Sequence, residues 1–480
     1  MATISSAGLG SGLDVESIVT QLMAIERRPI SLLKDQTKQI ETQLSAFGKL
    51  QGALSTMRDK ARALTASDAW SPTKASSADE ASVSVSTGTG SVPGSYAVSV
   101  AQLAKAQTMV SGTFAGSEAV VGAGTLAIQL GTWAGTALTP RTGSSAVNVT
   151  VAADDTLQDV RDKINGADAG VVASIVNDAN GARLTLRSTT SGEDYAFRLA
   201  VTDADGNAGD AAGLSALAYD PGGAGAVMTR TQVGSNARAT INGVAIESNT
   251  NTLENVIDGL TVRLGKVTTG DVDVAVTQDS EAIKTAVTDF ANAYNELIKQ
   301  IREQTKFNEG SKTGAPLQGD RAAIALQQQL RSLLGGVTGA SAVFQRMADI
   351  GLDPQSDGTL TVRASKLDGA VANARELEKF FANVDAAQES NNGFAQVLRK
   401  FADELLGTDG SLTTKQESLR TRIARNGARE AQLEERMTLV EKRMRAQYTS
   451  LDTQMAKLNS LSTYMTRQLS ALSSYNGNKS

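Results

Sequence analysis

Residues 433–472 read LEERMTLVEKRMRAQYTSLDTQMAKLNSLSTYMTRQLSAL, and the spacing of the apolar side chains in that stretch decides the architecture of the chain. Leu433, Met437, Val440, Met444, Tyr448, Leu451, Met455, Leu458, Leu461, Met465, Leu469 and Leu472 recur at steps of three or four residues, and Leu419 and Ile423 extend the series backward across one gap, a weak point at Asn426 and Gly427. Such steps lay one apolar stripe along an α-helix, the seam of a coiled coil or helical bundle. Arg420, Arg422, Arg425, Arg429, Glu430, Glu434, Glu435, Arg436, Glu441, Lys442, Arg443 and Arg445 lie between the stripe positions. The interleaved acids and the lack of stacking aromatics make this a solvated face rather than a nucleic-acid-binding arm.

A stripe of this kind needs a partner, and the other end of the chain offers one. After the turn-rich opening Gly8-Leu9-Gly10-Ser11-Gly12-Leu13, Asp14 is a natural N-cap for a helix carrying Val15, Ile18, Val19, Leu22, Met23 and Ile25. Pro29 breaks or bends that helix, and a second run follows with Leu33, Ile40, Leu44, Phe47, Leu50, Leu54, Met57, Ala61 and Leu64. Two terminal helices with matching stripes predict an antiparallel pair that returns the chain to its start, with everything between them inserted at the far end.

Composition bounds what the inserted part does. The 480 residues are too many for one ordinary core, so about three domains are expected. Aromatics make up 4% against 41% hydrophobic residues, so the cores are built from Ala, Val, Leu and Ile, which suits helical seams and small sandwiches better than aromatic ligand pockets. A net charge of −5 argues against a dominant nucleic-acid surface. Cysteine and histidine are absent, which removes disulfides, thiol nucleophiles, Cys or His metal ligands and the commonest general base. The start Met1-Ala2-Thr3-Ile4-Ser5-Ser6 shows no basic and apolar signal-peptide regions, and no apolar run reaches membrane-spanning length. A cytoplasmic protein, or one exported without a cleaved signal, is expected.

Past Trp70, Ser, Thr, Gly, Ala and Val dominate and strict alternation replaces the helical period. Strands are expected at 81–85 and 96–100 around the turn Gly90-Ser91-Val92-Pro93-Gly94, then at 125–130 and 147–151. Asp154-Asp155-Thr156-Leu157 reads as the cap of a short helix bearing Val160 and Ile164 and ended by Asn165-Gly166. A hairpin pairs 171–176 with 183–187 across Asn180-Gly181. Residues 203–230, rich in Gly and Ala, read as a loop, with strands resuming at 239–246, 260–264 and 272–277. Helical patterning returns at Ser280 with Ile283, Val287, Phe290, Tyr294, Leu297 and Ile301, and again with Ile324, Leu326, Leu330, Leu333 and Leu334. A small strand unit turns at Asp357 between Ile350-Gly351-Leu352 and Leu360-Thr361-Val362, before helices carrying Leu367, Phe380, Phe381 and Leu398.

Three patterns invite a chemical reading, and each has a plainer one. Asp203-Ala204-Asp205-Gly206-Asn207-Ala208-Gly209-Asp210 has the acidic density of a calcium loop, yet Ala208 and Leu214 stand where an EF-hand needs Gly and Glu. Gly310-Ser311-Lys312-Thr313 lacks the glycines and the preceding strand of a phosphate-binding loop and reads as a linker. Asp154 and Asp155 read as capping residues rather than an acid/base dyad. No catalytic, cofactor-binding or metal residues are assigned, and an enzyme has no positive support.

Gly10-Ser11-Gly12-Leu13-Asp14-Val15-Glu16-Ser17-Ile18-Val19, Leu22-Met23-Ala24-Ile25-Glu26-Arg27 with Pro29, and Phe47-Gly48-Lys49-Leu50 resemble the N-terminal signature of the bacterial flagellar filament cap family, flagellar hook-associated protein 2 (FliD). Residues 124–192, with Thr156-Leu157, Ile164-Asn165 and Leu184-Thr185-Leu186, resemble a repeat motif of the outer domains of flagellin and hook-associated proteins. Ile241-Asn242-Gly243-Val244 with Thr252-Leu253-Glu254-Asn255 is similar to the cap family's own strand unit, and Leu317-Gln318-Gly319-Asp320, Asp357-Gly358-Thr359-Leu360 and the helix from Tyr448 to Leu472 also fit. Residues 106–235 match least, and Thr449 departs from a neighbourhood in which the family often carries Phe.

Together these readings give a multi-domain α+β fold: terminal coiled-coil helices forming a stalk, a helix-rich domain and two inserted strand-rich head domains. The expected divisions are a leg (1–40 and 415–480), a helix-rich domain (41–75 and 278–414), a strand-rich domain (76–105 and 236–277) and an inserted outer strand-rich domain (106–235). The resemblance implies a filament cap that rings the distal tip as a pentamer, promotes the folding and insertion of exported flagellin and prevents its loss. It further implies secretion by the flagellar type III apparatus to the extracellular tip. Its implied partners are flagellin, the hook-filament junction proteins and an export chaperone at the C-terminal region, with no cofactor. Ile18, Leu22, Ile25, Leu451, Leu458 and Met465 are the expected stalk and partner contacts, with an intramolecular core as their other reading. A different hook-filament junction protein or flagellin itself, and an adhesin whose outer domains bind host mucin, are the alternatives.

Overall fold

Helix formation starts at the cap that the sequence supplies: Asp14 Oδ1 accepts the Ser17 backbone N–H at 3.0 Å, satisfying a donor that the first helical turn leaves open. The computed structural model describes residues 14–223, 225–310 and 312–476, with side chains through Ala471. The opening Gly8 to Leu13, Ser311 and the side chain of Leu472 therefore lie outside the described residues. The α-helices are α1 (Val15–Glu26), α2 (Arg28–Ala63), α3 (Leu157–Gly166), α4 (Ser280–Thr305), α5 (Arg321–Leu334), α6 (Ala364–Val371), α7 (Ala374–Ala382), α8 (Phe394–Leu406) and α9 (Ser411–Asn476). The chain divides into two units, one formed by residues 1–70 with 280–480 and the other by 71–279.

In the helical unit, Pro29 stands in the first turn of α2, where a missing N–H costs nothing, and Arg27 joins α1 to α2 with no strand or loop between. The core takes Phe47, Leu50, Leu54 and Met57 from α2 and Ile283, Val287, Phe290 and Ile301 from α4, all fully buried. Phe380 and Phe381 of α7, Phe394 and Leu398 of α8, and Leu412 and Leu419 of α9 close it. Trp70 stacks on Phe381 with ring centroids 5.5 Å apart and donates Nε1–H to the Leu64 carbonyl at 3.1 Å. This core also buries Phe47, Phe290, Tyr294 and Phe344, so it holds most of the buried aromatics, each covering a large area.

α5 begins at Asp320, whose carboxylate accepts the Ala322 N–H at 2.9 Å and meets Lys415 at 2.9 Å. Its buried stripe is Ala323, Leu326, Leu330 and Leu334, whereas Ile324, expected in the stripe, is exposed one position off it. The expected weak point at Asn426 and Gly427 does not interrupt α9: the helix runs through it, and Asn426 Nδ2 donates to Thr37 Oγ1 at 3.1 Å. Residues 307–308 and 313–314 pair as a small hairpin where the sequence suggests a linker.

The strand-rich unit holds two separate hydrophobic cores. In the first, a five-stranded antiparallel sheet in the order Thr73–Ser77, Val272–Gln278, Gly94–Gln102, Ala237–Ile241, Val244–Ser248 shares a core with a three-stranded sheet of Thr252–Ile257, Leu260–Leu264 and Val83–Thr87. The run 239–246, expected as one strand, is a hairpin: Asn242 and Gly243 both take positive φ, 50° and 81°, as a tight two-residue turn demands.

The second core lies between a four-stranded sheet, a six-stranded sheet built on Gly124–Ala134, and α3. The cap of α3 is Thr156, paired with Asp159 in a capping box, and not Asp154 or Asp155. The hairpin register sets Asp178 against Gly181, so the turn is Ala179-Asn180 rather than Asn180-Gly181. The loop expected over 203–230 is largely confined to residues 204–212. Leu214, Leu217 and Met228 are buried in this core, and short strands at Tyr219–Asp220, Gly225–Ala226 and Thr229–Gln232 join its sheets. The small residues between these anchors hide the strand pattern from a composition reading.

Candidate functional site

None of the three chemical patterns forms a reactive site in the described residues. Asp203 Oδ2 accepts the Ser215 N–H at 2.9 Å and its Oγ–H at 3.1 Å, so the acidic segment is stapled to its own core. Burial of Asp203 opposes ionisation, but these bonds outweigh it and its carboxyl sits below the usual range. Asp155 meets Lys163, whose hydrogen bond lowers the carboxyl, and also accepts the Ala152 N–H. Among the described residues no group of three or more carboxylates is arranged to hold a metal ion. No described helix is long and apolar enough to cross a membrane.

The feature left over is the terminal helix pair. In α9, Leu412, Gln416, Leu419, Ile423, Asn426, Glu430, Leu433, Met437, Val440 and Met444 follow one another at alternating steps of four and three, and each is buried or half-buried. That is an unbroken heptad seam. Its polar members are matched across the pair: Gln416 Nε2 donates to Gln51 Oε1 at 2.7 Å, and Glu430 meets Lys34 at 3.2 Å. Toward the chain ends, Val15, Val19, Met23 and Ile30 pack with Met437, flanked by Leu433, Val440, Met444 and Tyr448.

Ion pairs report the direction and register. Arg27 meets Glu434 at 3.2 Å, and Arg445 Nη2 donates to Glu16 Oε1 at 2.8 Å. Eleven residues back on α1 thus answers eleven forward on α9, an antiparallel pair. The hydrogen bond from Arg445 holds the Glu16 carboxyl below the usual carboxylate range, and Glu16 and then Glu441 push the Arg445 guanidinium up. Exposed and screened by salt, these pairs set register more than they stabilise.

The seam changes character after Met444. A second step of four leads to Tyr448, an inserted phase shift that rotates the stripe. From Tyr448, α9 continues for 28 residues to Asn476, roughly 40 Å of helix. Leu451, Leu458, Leu461, Tyr464, Met465 and Leu469 are 44–63% exposed on that extension.

Of the six expected contact residues, Leu451, Leu458 and Met465 therefore stand on the open extension, and Ile25 is 69% exposed. Ile18 and Leu22 are half-buried. The residues that pair α1 with α9 are Val15, Val19 and Met23, on the neighbouring face. They, with Glu16 and Arg445, are what the stripe reading did not separate out. The signal was present, since Val15, Val19 and Met23 are spaced by one helical turn each.

Comparisons with known proteins agree on one kinship. Residues 234–460 match a family model described as flagellar hook-associated protein 2 C-terminus, residues 11–107 one described as flagellar hook-associated protein 2 N-terminus, and residues 136–190 one described as flagellin hook IN motif. Flagellar hook-associated protein 2 of Escherichia coli strain K12 is 32% identical over 98% of both chains, and that of Aeromonas caviae is 30% identical over 95% of this chain and 96% of its own. A crystal structure of the D1-D2-D3 domains of the flagellar cap protein from Escherichia coli is similar to 78% of this chain and 99% of its own, with a TM-score of 0.60 and 30% identity.

Proposed function

The chain belongs to the flagellar hook-associated protein 2 family, and from that premise we propose that it caps the bacterial flagellar filament, promoting the folding and insertion of exported flagellin and preventing its loss. It works outside the cell at the distal tip. The observation that carries this reading is that, among the described residues, α9 outruns α1, its partner within the chain. A helix that runs on for roughly 40 Å past Tyr448, with Leu451, Leu458, Leu461, Tyr464, Met465 and Leu469 largely exposed along it, is built to dock on something else.

In this proposal the leg is 1–40 with 415–480, the helix-rich domain 41–75 with 278–414, and the two head domains 76–105 with 236–277 and 106–235. Ile18, Leu22, Ile25, Leu451, Leu458 and Met465 are the leg's contacts with flagellin and neighbouring copies. Five copies close the ring, a number set by interface angle. The flagellar type III apparatus exports the chain, a chaperone holds its C-terminal region before export, and hook-filament junction proteins precede it in assembly. The role is structural and needs neither catalysis nor cofactor.

Complementation of a strain lacking the protein tests the reading. The parent chain restores filaments, while a chain without residues 1–40 leaves cells bald with flagellin shed into the medium. Normal filaments from the truncated chain refute it. Electron microscopy of the purified chain separates a cap, which forms discrete rings, from a flagellin or junction protein, which polymerises helically.

One observation favours a second, compatible role as an adhesin for host mucin. Trp133 meets Tyr219 edge-on at 5.6 Å, and the Arg230 guanidinium lies 5.6 Å from the Trp133 ring centre. All three are half-buried, leaving an aromatic and cationic surface of the type recognition sites use. Binding to immobilised mucin that Trp133→Ala abolishes supports this role, and undiminished binding removes it.

A further inference from the structure

The terminal helix pair has two flanks, and they are built differently. On each helix the residue one place after a seam position turns to one flank and the residue one place before it turns to the other. Glu16 follows Val15, Glu434 follows Leu433 and Arg445 follows Met444, and these form the closed flank of ion pairs with Arg27 and Lys34. The opposite flank of α9 carries Arg422, Arg429, Arg436 and Arg443, spaced by seven residues each, with Arg425 one turn from the first. All five are exposed, and none makes an ion pair with a described residue.

Across from this row, α1 and the start of α2 present Ile18, Ile25 and Leu32, again at seven-residue spacing. Ile25 is 69% and Leu32 56% exposed. The register fixed by Glu16 with Arg445 and Arg27 with Glu434 brings Ile18 level with Arg443 and Ile25 level with Arg436. Leu32 lies near the level of Arg429. The open flank is thus a groove with an apolar rung on one wall and a guanidinium on the other, repeated once per heptad.

We propose that this groove is a second seam that receives a third helix from another protein, amphipathic and acidic, with apolar residues facing Ile18, Ile25 and Leu32 and carboxylates at seven-residue intervals facing Arg429, Arg436 and Arg443. The charges select the occupant. In coiled coils the positions flanking the seam choose the partner through opposite charge, and an unpaired arginine row repels any basic helix. A second copy of this chain is a poor occupant, because the α9 extension beyond Tyr448 carries Asp452 against Lys457 and Arg467. The inference rests on the proposed contact between the terminal helices and filament subunits, and it specifies the chemistry of the helix they accept.

The test uses the full chain and two synthetic peptide helices about 25 residues long, identical in their Leu seam and carrying Glu or Lys at every seventh flanking position. In fluorescence anisotropy at low salt, the Glu peptide is expected to bind about tenfold more tightly than the Lys peptide, the combined effect of three exposed ion pairs, and the difference shrinks at high salt. The triple variant Arg429→Glu, Arg436→Glu, Arg443→Glu is expected to reverse the preference. If the reversed chain loses helicity, Arg429→Gln, Arg436→Gln, Arg443→Gln abolishes the preference without adding charge. Equal binding of the two peptides by the parent chain, tighter binding of the Lys peptide, or a preference that survives both triple variants overturns the proposal. Filament growth is scored separately, so a failure of the capping role appears in that assay and a failure of the seam in the peptide assay.

Discussion

Replacing Leu451, Leu458 and Met465 together by glutamine isolates the docking role of the α9 extension from the stability of the chain. Glutamine has nearly the helix propensity of the residues it replaces, so α9 persists. In the chain alone the three side chains are 44%, 59% and 54% exposed. None of the three belongs to a hydrophobic cluster shared with another helix; what they bury lies along α9 itself, where the glutamine stem still covers it, so the melting temperature is expected to hold within about 2 °C. Docking buries the remainder. Complete burial of such a side chain is worth about 1.5–3 kcal/mol, so the exposed half contributes about 1 kcal/mol and the three together about 3 kcal/mol. That is roughly a hundredfold in affinity. The assay is titration of fluorescently labelled chain onto filaments stripped of their caps, with tip occupancy counted by microscopy. Occupancy with a dissociation constant within about threefold of the parent would refute the reasoning, because a side chain that becomes buried cannot be exchanged for an amide at no cost.

Other outcomes follow from single side chains. Met437→Ala empties the centre of the cluster that joins α1 to α9; a loss of about 2–3 kcal/mol is expected there, read as faster amide exchange in α1 with the head domains unchanged. Gly181→Ala, at φ 133°, would drive a methyl to 2.1 Å from the Phe114 carbonyl oxygen; the strand-rich unit should lose about 2–4 kcal/mol, measured by thermal melting. Glu376 accepts from Lys379 at 2.7 Å, Ser341 at 2.7 Å and the Ala342 N–H at 3.0 Å, which together hold its carboxyl down to about 2 from an ordinary value of 4.5. A lowered folded value contributes stability above the unfolded value and loses it as pH falls through the folded one. Melting temperature should therefore drop between pH 4.5 and about 2 in the parent, and Glu376→Gln should lower it at pH 7 while flattening that drop; an acid limb identical to the parent's would remove the assignment.

The candidate site was partly legible because helical seams are written in local spacing. The heptad of α9, the cap at Asp14 and the break at Pro29 all depend on residues a few positions apart, and the structure keeps each of them. Reading failed where a residue's role depends on what faces it. Gly427 looks like a weak point by propensity, yet the helix continues because Asn426 is bonded across the pair. Residues 203–230 look like a loop by composition, but three apolar anchors pin them to a core formed by strands far away in sequence. The arginine row of α9 looks like an ordinary solvated face until the register shows which flank is closed by ion pairs.

From the sequence alone came the periodicity of the terminal helices, the strand-rich character of the insert, the absence of cysteine and histidine chemistry and the motifs that point to the family. These are properties of composition and of neighbours along the chain. Only the tertiary structure decided which of two adjacent stripes on α1 packs inward. Val15, Val19 and Met23 take that place, while Ile18 is left half-buried at its edge and Ile25 faces outward. Both stripes are apolar and both have helical spacing, so the burial of either is comparably favourable in a lone helix. The choice falls to the antiparallel register with α9, where Glu16 meets Arg445 on one flank and the unpaired arginines keep the other open.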